Sequence, residues 1–385
     1  MELRELVVCS LESWDQVWRR NQYILDGLLR RNARLRVLLI EPAADPLHAT
    51  IQRRPPRLGA GLRCLPGYEG RLHALQPTKW LPRAAAGSLA DEWLVGTARR
   101  AVRRLGFRSP LLWVNDPGWA GLLNTGWPAI YDITDDWVEA ARGQREHDRI
   151  VAGENRLMAE CAAVVVCSTG LQSSKSPIRS VELIQNAVDV NWYRRPQSRP
   201  GDLPSGKVAM YVGTLHEDRL DVDLCLRIAD RISSLGGRMV FVGPNALSSA
   251  NAKRLDTNQA ILSLGPKPHT QVPGYLQHAD VLTVPHLVDG FTDSLDPIKL
   301  YEYEAVGRPI ASTPVAGFRQ LAGAPGVTIA PAESLPDELC RLLVTPPDQV
   351  GPFAPADWSA RVAEMEEVLY RAQRNCRTVS DEPEP

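Results

Sequence analysis

Short apolar runs recur along this chain, and stretches with helical spacing fall between them. In the first half the runs are "LVVCSL" (6–11), "RVLLIEP" (36–42), "LLWVND" (111–116), "AIYDIT" (129–134), "AVVVCST" (163–169) and "VELIQNA" (181–187). Near-continuous apolar character over so few residues suits parallel strands covered on both faces. Between the first two, "WDQVWRRNQYILDGLLRR" puts Val17, Ile24, Leu25, Leu28 and Leu29 on one helical face. A second series begins at 208, with strands expected at 208–213, 238–243, 261–265, 281–285, 309–313 and 327–330. Helices are expected at 223–236, 298–307 and 357–373. The alternation predicts an α/β protein built from two Rossmann-like doubly wound domains facing a cleft.

Punctuation supports that division. "RRPQSRPGDLPSGK" (194–207) is rich in Pro and Gly and reads as a linker. The expected boundaries are 1–195 for the first domain, 196–206 for the linker and 207–355 for the second domain. A helix over 356–374 is expected to pack back toward the first domain, ahead of a disordered polar tail over 375–385. A length of 385 residues fits two domains of roughly 150–200 residues. No leader-like segment or long apolar run appears, so a cytoplasmic protein is expected. The seven cysteines have no metal-binding or disulfide-framework spacing.

The net charge of −1 conceals an asymmetry. Residues 1–197 carry 27 Lys and Arg against 21 Asp and Glu, or +6, and the remainder carries 17 against 24, or −7. That excess is too small and too dispersed for a nucleic-acid binder. Its most concentrated part is "EWLVGTARRAVRRLGF", where Arg99, Arg100, Arg103 and Arg104 share one side of an amphipathic helix. A solvated outer helix accounts for this; an acidic partner or a peripheral contact with the inner membrane face is the sharper reading.

The candidate chemistry lies at the strand ends of the second half. "GTLHEDRLD", "GPN", "GPKPH" and "PHLVDGFTDSLDPIK" follow successive strands, each a Gly or Pro turn carrying polar side chains. Loops at one sheet edge that lead into helix N-termini suit a phosphate. Lys299 falls in the first turn of the helix at 298–307, where a cation opposes the helix dipole unless an anion is bound. Glu302 follows one turn later on the same face, and a carboxylate accepts the two hydroxyls of a ribose. Arg219 supplies a second cation. In isolation, Lys299 with Glu302 reads more simply as a surface ion pair. No "GxxxxGK[ST]" motif is present, which argues against a P-loop.

These segments resemble a known family. "YVGTLHEDRLDVDL", "LGPKPHTQVPGYLQHADVLTVP" and above all "DPIKLYEYEAVGRPIAST" look like the donor domain of GT-B glycosyltransferases of family 4 (group 1). "WDQVWRRNQYILDGLLRR", "YDITDDW" and "IQNAVDVNWYRR" resemble the first domain of a teichuronic-acid-type and actinobacterial biosynthetic branch. The resemblance implies transfer of a sugar from a nucleotide-sugar donor, UDP-linked, to a small-molecule or carrier-protein-bound acceptor, with retention and without a metal or other cofactor. It implies donor contacts at Gly213, Thr214, Arg219, Gly243, Lys267, Gly290, Phe291, Thr292, Lys299, Leu300 and Glu302, with Asp289, Ser294, Arg219 and Lys299 nearest the chemistry. Ser294 stands where the family often has a Glu, which implies a changed sugar contact. For the acceptor side it implies Ser10, Trp14, Trp18, Asp116, Asp135 and Asp136. "TDDW" itself reads more simply as a helix N-cap with first-turn acids than as a metal site. A cell-surface polysaccharide acceptor, a nucleotide-sugar epimerase or phosphorylase, and a non-catalytic binder are the rival readings.

Overall fold

A computed structural model describes residues 3–51, 55–80, 88–138 and 143–378. Two compact units form. One holds Asn21–Gln185, the residues before Gln16 and those from Ser359 onward; the other holds Gln16–Arg20 and Asn186–Trp358.

The first unit is built on an eight-stranded sheet. Its strands are β1 (Glu5–Cys9), β2 (Arg36–Ile40), β3 (Gly61–Cys64), β4 (Leu72–Gln76), β5 (Leu111–Val114), β6 (Ala129–Ile133), β7 (Ala163–Val166) and β8 (Glu182–Leu183). They lie in the order β3-β4-β2-β1-β5-β6-β7-β8. All pairings are parallel except β3 with β4. That hairpin was not expected from the sequence: "GLRC" is a partly exposed edge strand with no apolar run to betray it. The final helix, Trp358–Thr378, runs mostly in this unit, where Arg31 pairs with Glu366 at 3.0 Å and Arg371 pairs with Glu182. Val362 comes so close to Gly27 that a Cβ there would lie 2.4 Å from a valine methyl.

The second unit has a six-stranded, wholly parallel sheet made of β9 (Val208–Val212), β11 (Arg238–Val242), β13 (Ile261–Ser263), β14 (Val281–Val284), β15 (Ile310–Ser312) and β16 (Val327–Ile329). The order is β13-β11-β9-β14-β15-β16. Two short strands after β9 and β11, namely β10 (Leu215–His216) and β12 (Asn245–Ala246), pair with each other and brace the loops at that edge.

The division falls between Gln185 and Asn186, ten positions earlier than the sequence suggested. The reason is local packing. Val188 and Tyr193 join the core under β9 and β14, and Val188 exchanges backbone hydrogen bonds with Ala356 and Trp358. The stretch read as a linker is also docked, since Leu203 is buried in that core and Asp202 binds Lys267 and Tyr275. From residue 379 onward the polar tail lies outside the described residues.

Candidate active site

In the second sheet, β9 is followed in space by β11 on one side and by β14 on the other. The sheet order thus reverses at β9, and the carboxyl ends of the strands at such a switch point are the usual ligand position in these sheets. Successive strand ends interlock: Gly213 N–H donates to Val242 O at 2.9 Å, and Gly243 N–H to Gly265 O at 3.0 Å. Gly213 and Gly243 have φ of +139° and +150°, where a side chain is strained. A Cβ on Gly243 would stand 2.2 Å from Gly213 O.

The loops after β9 and β14 are zipped together. Leu287 N–H donates to Arg219 O at 2.8 Å, Asp221 N–H to Pro285 O at 3.0 Å, and Leu220 and His286 form an antiparallel bridge. Asp221 also caps the helix Val222–Ser233 by accepting from Leu224 N–H at 2.8 Å. This arrangement carries Arg219 over the ring of Phe291, 5.4 Å from its centroid.

Lys299 enters from the helix Ile298–Val306, which starts at Pro297 and ends at Gly307 with φ 68°. Its ammonium lies 4.9 Å from the centroid of Tyr211, and its Cε would be 3.2 Å from a Cβ on Gly213. Both cations thus rest on aromatic faces, contacts worth about 0.5–2 kcal/mol each. Arg219 has one ion pair, to the exposed Asp218 at 3.1 Å. Lys299 has none among the described residues. Burial, reinforced by the Arg219 charge, lowers the Lys299 ammonium to about 7, while Glu302 acts to raise it. His216 is pushed down to about 4, by burial first and then by the charge of Arg219.

Below this pair lie His286, Tyr211, Tyr303 and Tyr193, which the sequence reading did not single out, together with Glu302, which it did. His286, 3% exposed, meets the Tyr211 hydroxyl through Nε2 at 3.0 Å. Tyr211 in turn donates to Thr214 O at 3.2 Å, which assigns the imidazole N–H to Nε2. Burial and the nearby cations hold His286 well below its ordinary value, so it is a neutral support for the 213–214 turn. Tyr303 accepts Val212 N–H through its hydroxyl at 3.1 Å. Glu302 is partly buried, and its Oε1 accepts the Tyr193 hydroxyl at 2.5 Å. Its carboxyl is raised by burial, against the opposing effects of Tyr193 and Lys299. Only tertiary structure brings Tyr193, Tyr211 and His286 to these positions; each reads as an ordinary core residue in the chain.

The remaining donor-side positions separate. Asp289 is exposed and caps the short helix Gly290–Asp293, accepting Thr292 N–H at 2.8 Å, and the Thr292 hydroxyl accepts Asp289 N–H in return. Ser294 is 8% exposed and its hydroxyl donates to Phe291 O at 2.7 Å. The Lys267 ammonium is tied to Asp202 at 2.7 Å and lies over Tyr275. Leu300 departs from expectation: its side chain is 7% exposed, belongs to the core and sits against Gly317, so only its backbone can face a ligand.

The acceptor-side candidates do not form one cluster. Ser10 and Asp116 lie just past the ends of β1 and β5, where the first sheet's order reverses. The Ser10 hydroxyl accepts from Glu12 N–H at 3.0 Å and from Asn21, which also reaches Asn115. Asp116 caps the 3-10 helix Pro117–Thr125. The Trp14 amide donates to Glu41, a fully buried carboxylate that holds Arg63 in a bidentate pair at 2.7 and 2.8 Å. Trp18 belongs to the second unit instead, stacked on His269 with centroids 4.1 Å apart. "TDDW" is not the cap of a described helix: the Asp135 carbonyl accepts from Trp137 N–H at 2.9 Å, and the next helix among the described residues is Gln144–Glu160, capped at Gly143. Asp136 is buried against Lys175 at 3.0 Å, and Lys175 also holds Glu154 at 2.7 Å. The four arginines at 99–104 are exposed, with Leu94 and Val102 buried on the opposite side. Among the described residues no group of three or more His, Cys, Asp or Glu is placed to hold a metal ion, and no helix is long and apolar enough to cross a membrane.

Comparison with solved structures identifies the architecture. The chain is similar to sucrose-phosphate synthase from Thermosynechococcus elongatus, with TM-score 0.65 and 15% identity over 98% of this chain and 99% of that one. It is also similar to a UDP-forming trehalose-phosphate synthase from Burkholderia vietnamiensis (TM-score 0.60, 14% identity, 98% and 99% covered). HepE of Anabaena, solved with UDP and glucose, gives TM-score 0.59 at 14% identity, with 98% and 100% covered. The fold is GT-B. Residues 206–345, within the second unit, match the family model described as glycosyl transferases group 1. Among curated proteins the chain is similar to the putative teichuronic acid biosynthesis glycosyltransferase TuaH of Bacillus subtilis (strain 168), at 20% identity over 220 residues. That alignment takes in 52% of this chain and 55% of the relative, about half of each.

Proposed function

We propose that the protein is a glycosyltransferase that moves a sugar from a nucleotide-sugar donor, UDP-linked, to a small-molecule or carrier-bound acceptor in a bacterial biosynthetic pathway. The observation that carries this reading is the pair Lys299 and Arg219. Lys299 is held on the Tyr211 ring beside Gly213 and Arg219 on the Phe291 ring, at the strand edge where the sheet order reverses. A diphosphate would supply Lys299 with the anionic partner it does not have among the described residues, next to Arg219 and its exposed Asp218. Glu302, one turn beyond Lys299, then faces the ribose hydroxyls. The UDP and glucose in the HepE structure are consistent with a donor of this class.

In the proposed reaction the bond from the sugar carbon to the leaving phosphate breaks as the acceptor oxygen bonds to that carbon from the same face. The acceptor proton passes to the departing phosphate oxygen. Configuration is retained, and the two cations stabilise the negative charge that accumulates on the diphosphate, with no metal needed for that role. Asp289 and the first residues of helix Gly290–Asp293 would face the sugar, and the exposed Arg99–Arg104 face would dock an acidic carrier or membrane surface.

The test is a thermal-shift panel of UDP-, dTDP- and GDP-sugars, followed by nucleoside diphosphate release with candidate acceptors. UDP-sugars are expected to stabilise the chain, and Glu302→Ala to weaken that binding while the unliganded chain still folds cooperatively. Stabilisation by no nucleotide would sink the proposal. Turnover of the donor to an epimer without any acceptor would replace it with an isomerase.

A further inference from the structure

The segment 186–193 acts as a strut against both ends of the stretch that carries Lys299 and Glu302. At one end, Asn186 N–H donates to Asp296 at 2.5 Å, and Asp296 also accepts the Tyr301 hydroxyl at 2.8 Å. At the other end, the Tyr193 hydroxyl donates to Glu302 Oε1. Tyr193 is itself buried and anchored. It is 2% exposed, its helix Val190–Arg194 is capped by Asp189, and its carbonyl accepts from Gln277 at 2.8 Å. Glu302 Oε2 has no hydrogen-bond partner among the described residues.

We propose that Tyr193 is a positioning residue for Glu302: its hydroxyl locks Oε1 and keeps the carboxylate ionised, leaving Oε2 turned to the donor's ribose. This rests on the donor-site reading above. A carboxylate in a partly buried site has two ways to fail, rotating away or taking up a proton. A short hydrogen bond to one oxygen opposes both, because it fixes the rotamer and favours the charged form. Phenylalanine at 193 keeps the ring and its packing and removes only that bond.

The experiment is calorimetric titration of the full chain with UDP, GDP and their 2′-deoxy forms between pH 5 and 8, following the tightest-bound pair. Wild type, Tyr193→Phe and Glu302→Gln are compared. The wild type is expected to prefer the ribose form, and Glu302→Gln to lose the preference. Tyr193→Phe should reduce the preference by about threefold to tenfold, the net span of one ordinary hydrogen bond. It should also move the acid limb of binding to higher pH, as Glu302 protonates more readily. A merely structural role would lower affinity for both forms equally and leave the limb in place. Full ribose preference and an unmoved acid limb in Tyr193→Phe, with Glu302→Gln impaired, would overturn the proposal. A wild type that binds the ribose and deoxyribose forms equally, or binds neither, would instead overturn the donor-site reading beneath it.

Discussion

Lys299 sets the pH behaviour of the site. Its folded-state value of about 7 lies below the ordinary 10.5, so between these values the unfolded chain holds the extra proton. Stability contributed at this position therefore rises as pH rises through that window. Binding has the opposite sign. A diphosphate favours the ammonium, so its affinity should fall as pH rises above about 7, and binding at pH 8 should take up protons. Calorimetry in buffers of different ionisation enthalpy would measure that uptake, and Lys299→Met should abolish it. Gly243 is a second residue-scale case. Gly243→Ala places a Cβ against Gly213 O at a φ that disfavours it, and the backbone strain alone costs about 1–3 kcal/mol. A lowered urea midpoint would register the loss, with nucleotide binding impaired as the 213–214 turn shifts.

Among elements, helix Ile298–Val306 was legible because Pro297 and Gly307 bracket it and its cation sits at the unfavourable end. Its neighbours were less so. "TDDW" resembles a cap by composition, yet Asp136 belongs to a buried cluster with Lys175, Glu154 and Tyr131, whose hydroxyl reaches Glu154 at 3.1 Å. Lys175 is 39 positions from Asp136 and 21 from Glu154, a separation at which no local pattern announces a pair. Lys175→Met would leave both carboxylates buried without their cation. A loss of about 3–5 kcal/mol in denaturant unfolding is expected. The β3–β4 hairpin escaped notice for the converse reason, since a partly exposed edge strand needs little apolar sequence.

For the whole molecule, the opposite charges of the chain's two halves correspond to different surfaces. The basic excess includes the exposed arginine face of helix Ser88–Arg104, while the acidic half contains the cationic site. Net charge thus says little about where an anion would bind; burial and the aromatic rests under Lys299 and Arg219 decide that locally. Nucleotide at a hundred times its Kd should stabilise the chain by about 2.7 kcal/mol. Differential scanning calorimetry would check this, and the gain should vanish in Glu302→Ala, measured against that variant's own apo transition.

The sequence by itself determined the two α/β units, nearly all the parallel strands, and the loop edge where Gly213, Arg219, Lys299 and Glu302 converge. Apolar runs, turn residues and helix ends are local signals, and the donor-side motif lies within one short stretch. Tertiary structure alone decided the supports: Tyr211 under Lys299, His286 behind Tyr211, Tyr193 on Glu302, and the transfer of Trp18 and residues 186–195 to the second unit. Each depends on groups far apart in the chain meeting through packing. A buried aromatic or histidine has the same appearance in sequence whether it fills a core or steadies a charge.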